Sequence, residues 1–190
     1  MIWSKMKQQL EGFLCPSLVG RVEYRASGYR YLPDKAGMCY ITVDKKDVFN
    51  MFDPSKQFQW YQTEQEIKND PKIQLPITLK DIEMAKEETL GKVPEERLAV
   101  IVRNRKAATY AKDMMIAQGI LSKSDFFNVA NRFLTESIEK SLESEEILIN
   151  VLALIDRRVG KKRILLLEEI IKQKHPIVQY FYELRRRTRN

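Results

Sequence analysis

The sequence predicts an α+β protein: a small N-terminal unit of one helix and an antiparallel sheet, then an all-helical unit built as a bundle or a short α-solenoid. Three observations lead there. Between Leu18 and Phe52 apolar and polar residues alternate with period two, as in half-buried strands. From Thr78 onward the apolar spacing changes to threes and fours, punctuated by capping residues and glycines. Between them, Asn69-Asp70-Pro71 through Pro76 concentrates turn formers and prolines, the best linker in the chain. The expected domains are therefore 1–72 and 77–190.

Ser4 is the expected N-cap of a first helix, Lys5 to Leu14, with Met6, Leu10, Phe13 and Leu14 on its apolar face. Cys15-Pro16 ends it, because proline pushes the preceding residue out of the helical region. Leu18, Gly20, Val22, Tyr24 and Ala26 then alternate with Val19, Arg21, Glu23 and Arg25 in a first strand that turns at Ser27-Gly28. Tyr29 to Leu32 reads as a second short strand and Pro33 to Gly37 as a loop. Met38 to Val43 is a strand of aromatic and β-branched residues, and Asp44 to Asp47 turns into Val48–Phe52. The expectation is a meander of three or four strands with the first helix across one face. Gln57 to Lys68 is polar and predicts one or two helical turns.

In the helical unit, Thr78 caps Leu79–Leu90, with Gly91 where a C-cap glycine belongs. Pro94 and Glu95-Glu96 suit the start of a helix that runs to Gln118 and stops at Gly119, its stripe being Leu98, Ile101, Ala108 and Met115. Ser124 is the expected cap of Asp125–Leu134, and Ser137–Leu142 is a short helix. Ser144 caps Glu145–Arg158, Gly160 terminates it, Lys161–Gln173 follows, and Pro176 opens the last helix to about Arg187. Ile147-Leu148, Val151 and Leu154 recur thirty residues later as Ile177-Val178, Phe181 and Leu184, a spacing compatible with stacked helix pairs.

Composition narrows the function. The chain has 190 residues, 44% hydrophobic and 31% charged, ordinary for a folded protein and too apolar for disorder. No apolar run approaches the roughly 18 residues of a membrane helix, and the start lacks the apolar run of a signal peptide, so a cytoplasmic protein with no membrane partner is expected. Cys15 and Cys39 lack C-x-x-C spacing and a nearby histidine, and are expected as free thiols. The net charge of +7 is local: from Arg157 to Asn190 there are 11 Lys+Arg against 3 Asp+Glu, while the rest of the chain holds 22 against 23.

Catalysis has little to stand on. The single histidine, His175, precedes Pro176 at a helix junction, where a capping or surface role is expected. No G-x-S-x-G, P-loop, G-x-G-x-x-G or H-E-x-x-H pattern occurs. Asp34, Asp44, Asp47 and Asp53 cluster at strand ends, where aspartate serves turns, so no metal site, cofactor or catalytic residue is assigned.

Two surfaces could bind a partner. The first is the basic joint between the apolar runs Ile147–Ile155 and Ile164–Ile171: Arg157, Arg158, Lys161, Lys162 and Arg163. Cations at the end of one helix complement its dipole, but Lys161-Lys162-Arg163 open the next helix, where positive charge is unfavourable. Five cations in seven residues need compensation, either by Asp156, Glu145, Glu146 or Glu168, or by an acidic partner or bound anion. The tail from Arg185 to Arg189 is expected to fray into solvent. The second surface is Arg21, Arg25, Tyr29 and Arg30, where arginines interleaved with aromatic residues suit nucleic acid, and equally a solvated sheet face with cross-strand ion pairs.

Several blocks carry a resemblance. Trp3-Ser4-Lys5 with Leu10 and Phe13-Leu14-Cys15-Pro16, then Gly20-Arg21-Val22-Glu23-Tyr24, Tyr29-Arg30-Tyr31 and Ile41-Thr42-Val43-Asp44, resemble a family of small bacterial cytoplasmic proteins of unassigned function. Ala153 through Lys161 and His175-Pro176-Ile177-Val178 are similar to that family's other blocks, so the resemblance covers nearly the whole chain. The C-terminal helices also resemble short HEAT-like repeats, which implies a protein-binding scaffold. Together these readings imply a non-enzymatic interaction protein, immunity-type or adaptor-like, with an unidentified protein partner. The alternative is a nucleic-acid-binding protein that uses the basic C-terminal patch.

Overall fold

A computed structural model describes residues 2–28, 37–52, 54–70 and 72–188. The α+β class holds: an N-terminal helix, a three-stranded antiparallel sheet among the described residues, and then helices. By contacts the chain divides into two compact units, residues 1–53 with 116–190, and residues 54–115. This partition follows packing, whereas the expected boundary near 72–77 follows the proline-rich linker.

In the first unit, α1 spans Trp3–Gly12 and buries Met6 and Leu10. Ile2 occupies its N-cap without a side-chain bond, so Ser4 lies inside the helix rather than capping it. β1 (Val22–Gly28) pairs with β2 (Gly37–Val43), which pairs with β3 (Lys46–Asn50). The β2–β3 hairpin turns on Asp44 and Lys45, both at positive φ (49° and 67°), the pattern of a two-residue type I′ turn. The turn is thus shorter than Asp44–Asp47, and β3 begins at Lys46. The expected strand Tyr29–Leu32 and most of the loop after it lie outside the described residues. α1 packs on β1, as expected.

The C-terminal helices of this unit are α5 (Lys123–Thr135), α6 (Ile138–Glu143), α7 (Ile147–Ile155), α8 (Lys161–Leu166), α9 (Glu168–Ile171) and α10 (Pro176–Arg187). Every residue of α7 is buried, which is why all but Asn150 are apolar. It packs against α5, α6 and α10, and one hydrophobic core runs from Met6 and Tyr24 through Phe126, Leu148 and Phe181. Asn150, the polar residue within α7, is satisfied because its Nδ2 donates to the carbonyls of Ser144 (2.7 Å) and Ser141 (3.2 Å). The cap of α5 is Ser122 rather than Ser124: its Oγ accepts from Asp125 N–H and donates to the Asp125 carboxylate. The expected helix 161–173 is broken at Leu167 into α8 and α9. His175 caps α10, its Nδ1 accepting from Ile177 N–H at 3.2 Å.

In the second unit, α2 (Pro54–Asn69) is a 16-residue helix, far longer than one or two turns. Proline is tolerated at its first position because that N–H would have no partner anyway. α3 (Leu79–Glu88) begins with a full capping box, Thr78 and Asp81 each bonding the other's backbone N–H. Asp81 also pairs with Lys106 at 2.7 Å, and these bonds hold its carboxyl well below the usual carboxylate range. α4 (Glu95–Ala117) buries Leu98, Val102, Ala107, Ala111 and Met115, one position away from the expected Ile101 and Ala108 at mid-helix.

Candidate functional site

The basic joint begins where α7 ends. The Ile155 carbonyl accepts from Cys15 N–H and the Phe13 carbonyl from Arg157 N–H, both at 2.8 Å. These bonds form a short antiparallel bridge between Leu14 and Asp156, so the joint is stapled to the end of α1. Asp156 is 1% exposed. Its carboxylate accepts from Arg158 N–H at 2.6 Å, from Arg158 Nε at 3.1 Å and from Arg158 Nη2 at 2.8 Å. The Arg158 guanidinium lies 4.4 Å from the Phe13 ring centre and 5.5 Å from that of Phe133, so it is held by charge below and π-faces around it. Arg157 stands 5.8 Å from the Phe13 ring centre, without a carboxylate among the described residues. Arg163 donates to Glu139 at 2.9 Å. The Glu139 carboxyl is held below its ordinary range, first by its own backbone N–H and then by Arg163.

The five cations therefore divide. Arg158 and Arg163 are paired internally, and Arg157 lies over an aromatic ring. Lys161 and Lys162 are exposed and have no ion pair among the described residues. Of the four acids that lie near the joint in sequence, Asp156 is the one that pairs with it among the described residues. Glu145 pairs with Lys174 at 2.9 Å, Glu146 with Arg132 at 2.5 Å, and Glu168 lies 3.9 Å from Lys172. Glu139, which takes Arg163, was not among the acids that sequence proximity offered.

The surface beside the free lysines is apolar. Leu165 is 50%, Leu166 81% and Ile170 56% exposed. Leu166 and Ile170 stand four residues apart across the break at Leu167. Next to them an open cleft of about 470 Å³ is lined by Leu142, Leu167 and Ile170 and rimmed by Glu143, Arg163 and Lys174. This exposed stripe on α8 and α9 was missed by reading Ile164–Ile171 as a second core run. Only Ile164 and Ile171 of these two helices are buried.

The tail expectation fails at Arg185. This residue belongs to α10 and is buried at 7% exposure. Val178, Phe181, Tyr182 and Arg185 recur at helical spacing and form the buried face, a signal the sequence already contained. Arg185 Nη2 donates to the Val159 carbonyl at 3.1 Å, beneath the joint, while its Nε has no hydrogen-bond partner among the described residues.

The second surface is divided between pairing and burial. Arg21 makes a two-pronged contact with Asp44, at 2.9 and 2.7 Å, and the Asp44 carboxyl is held low by it. Arg25 pairs with Glu23 on the same strand. Tyr24 lies in the core, where burial pushes its hydroxyl pKa up. Tyr29 and Arg30, like Asp34 and Asp53, lie outside the described residues. Cys15 and Cys39 are free, buried thiols, and burial pushes Cys39 up to about 12. Among the described residues no three of His, Cys, Asp and Glu gather closely enough to hold a metal, and no helix is long and apolar enough to cross a membrane.

No curated protein and no solved structure matches this chain. A family model, that of the SF0329 protein family, matches residues 2–186.

Proposed function

We propose that this chain, which belongs to the SF0329 protein family, is a non-enzymatic cytoplasmic protein that binds an acidic, partly apolar protein partner through α8, α9 and the free end of the basic joint. An immunity-type or adaptor role fits that reading. One observation carries it: Leu166, 81% exposed, lies on the same six-residue helix as Lys161 and Lys162, whose charges find no ion-pair partner among the described residues. Burying such a leucine is worth about 2 kcal/mol, and lysines at its margin favour an acidic rim on the partner. Arg157, Arg158 and Arg163 position this surface rather than form it, since each already has a contact within the chain.

A photo-crosslinking residue placed at Leu166 tests the reading in cells. A discrete crosslinked species should appear and should weaken when Lys161 and Lys162 are both changed to Glu. Absence of any discrete species, or one indifferent to the charge reversal, would sink it. The nucleic-acid alternative is supported by the clustering of 11 Lys+Arg after residue 156. It requires retention of DNA or RNA at low salt that collapses as salt rises.

A further inference from the structure

We propose that the exposed face of α8 and α9 binds the same face of a second copy of this chain, antiparallel, in a two-fold dimer centred on Leu165. The second copy occupies the docking surface of α8 and α9, so the dimer rests on that reading and names its partner. The order of residues along these helices is self-complementary. Lys161-Lys162 open α8, Leu165 stands midway, and Glu168-Glu169 open α9. Lys161, Leu165 and Glu169 are four residues apart and fall on one row of a helix surface, with Lys162, Leu166 and Ile170 on the next. The rows cross the break at Leu167 because that residue keeps right-handed helical dihedrals, φ −84° and ψ −5°. Its N–H bonds back to the Ile164 carbonyl at 3.1 Å, a single tighter turn. All six row residues are exposed, while Ile164 and Ile171 are on the buried side.

The two ends of this face differ in charge. Lys161 and Lys162 have no ion pair among the described residues. Glu168 and Glu169 share one lysine, Lys172, at 3.9 and 2.5 Å, which leaves a net negative charge at that end. In an isologous contact every cross-copy pair occurs twice. A two-fold axis at Leu165 sets Lys161 against Glu169 of the other copy and Lys162 against Glu168 of the other copy, with leucine on leucine at the axis. A parallel arrangement would set lysine against lysine. A wholly acidic partner satisfies the lysines but meets like charge at Glu168 and Glu169, whereas a second copy satisfies both ends and supplies the acidic rim that the lysines favour. Residues 161–171 extend only about 16 Å as helix, so the contact is small and the dimer reversible, with a Kd on the order of micromolar.

Sedimentation of the full chain over a range of concentrations tests the dimer. At low salt the mean mass should climb from one chain toward two, and high salt should reverse part of the rise. Lys161→Glu with Lys162→Glu, and separately Glu168→Lys with Glu169→Lys, should each weaken association about tenfold or more, all four positions being exposed. An equimolar mixture of the two swapped proteins should dimerise again, because every cross-copy pair is then opposite in sign. Leu165→Asp sets two carboxylates together at the axis and should abolish the dimer. A dimer indifferent to both swaps, or one weakened by them and not recovered on mixing, would overturn the antiparallel pairing. A chain that stays monomeric at about 100 μM would overturn the second copy as partner. In that event a crosslink from Leu166 to a different protein would leave the docking surface standing, and the absence of both would overturn both.

Discussion

Replacing Asp156 by alanine isolates the structural half of the basic joint. The carboxylate is buried and accepts three N–H groups of Arg158: the backbone N at 2.6 Å, Nε at 3.1 Å and Nη2 at 2.8 Å. Removing one partner of a fully buried pair costs about 3–5 kcal/mol, because the other charge is left unmatched. The Arg158 side chain is 31% exposed, so water recovers part of that loss. The orphaned backbone N–H adds about 1 kcal/mol. The expected cost is then about 2–4 kcal/mol. With a urea slope near 2 kcal/mol/M, the midpoint of equilibrium unfolding should fall by roughly 1–2 M. Arg158→Met retains an apolar stem against Phe13 and Phe133 while deleting the charge, and in a double-mutant cycle with Asp156→Ala the coupling should be about 1.5–3 kcal/mol. Lys161→Gln with Lys162→Gln should stay within about 0.5 kcal/mol of the parent, as exposed unpaired positions do. A loss below about 0.5 kcal/mol for Asp156→Ala, or a comparable loss for the lysine pair, would refute the division of the joint.

Four further outcomes follow from the same geometry. Gly119 sits at φ +76° with the Phe49 ring 2.8 Å from where a Cβ would be, so Gly119→Ala should cost about 1–3 kcal/mol in equilibrium unfolding. Thr78→Ala removes one half of the capping box and should cost about 1 kcal/mol, read as faster hydrogen exchange confined to the first turn of α3. Cys39 is pushed up to about 12 from 9.0 by burial, so in the folded state it binds its proton across that window while the unfolded thiol releases it. Stability should therefore fall as pH rises from 9 toward 12, and Cys39→Ser should flatten that slope; at neutral pH a thiol reagent should label Cys39 only on unfolding. Leu166→Asp should leave the unfolding midpoint unchanged and weaken partner capture about tenfold or more, measured by quantitative crosslinking.

Much of this fold was legible because local chemistry and burial agree. The α7 helix, apolar but for Asn150, the proline-opened α10 and the Thr78 cap follow from residue type alone. The misreadings have identifiable causes. α2 has almost no amphipathic stripe, so periodicity gave its 16 residues no signal beyond good helix formers. The break at Leu167 has neither Gly nor Pro to announce it. The joining of residues 1–53 with 116–190 depends on long-range packing around α7, which no local pattern encodes. The joint itself was visible as charge, but its division was not. Asp156 could be named as a partner from proximity, whereas Glu139 is 24 residues from Arg163 and arrives only through the fold. Arg185 was hidden by its neighbours: Arg186 and Arg187 disguise as a solvated tail a residue whose helical spacing from Val178 and Phe181 marks it as internal.

Charge at the joint is divided: Arg158 and Arg163 are committed to the fold, and Lys161 and Lys162 are available to an outside anion. Side-chain nitrogen NMR of the native protein measures that division directly. From low to high salt, the Arg158 Nε–H should remain slowly exchanging and unshifted, while the Lys161 and Lys162 ammonium signals should exchange rapidly and shift as ions gather on them. An Arg158 Nε–H that exchanges as fast as the lysine ammonium groups, or lysine signals as protected as Arg158, would contradict it.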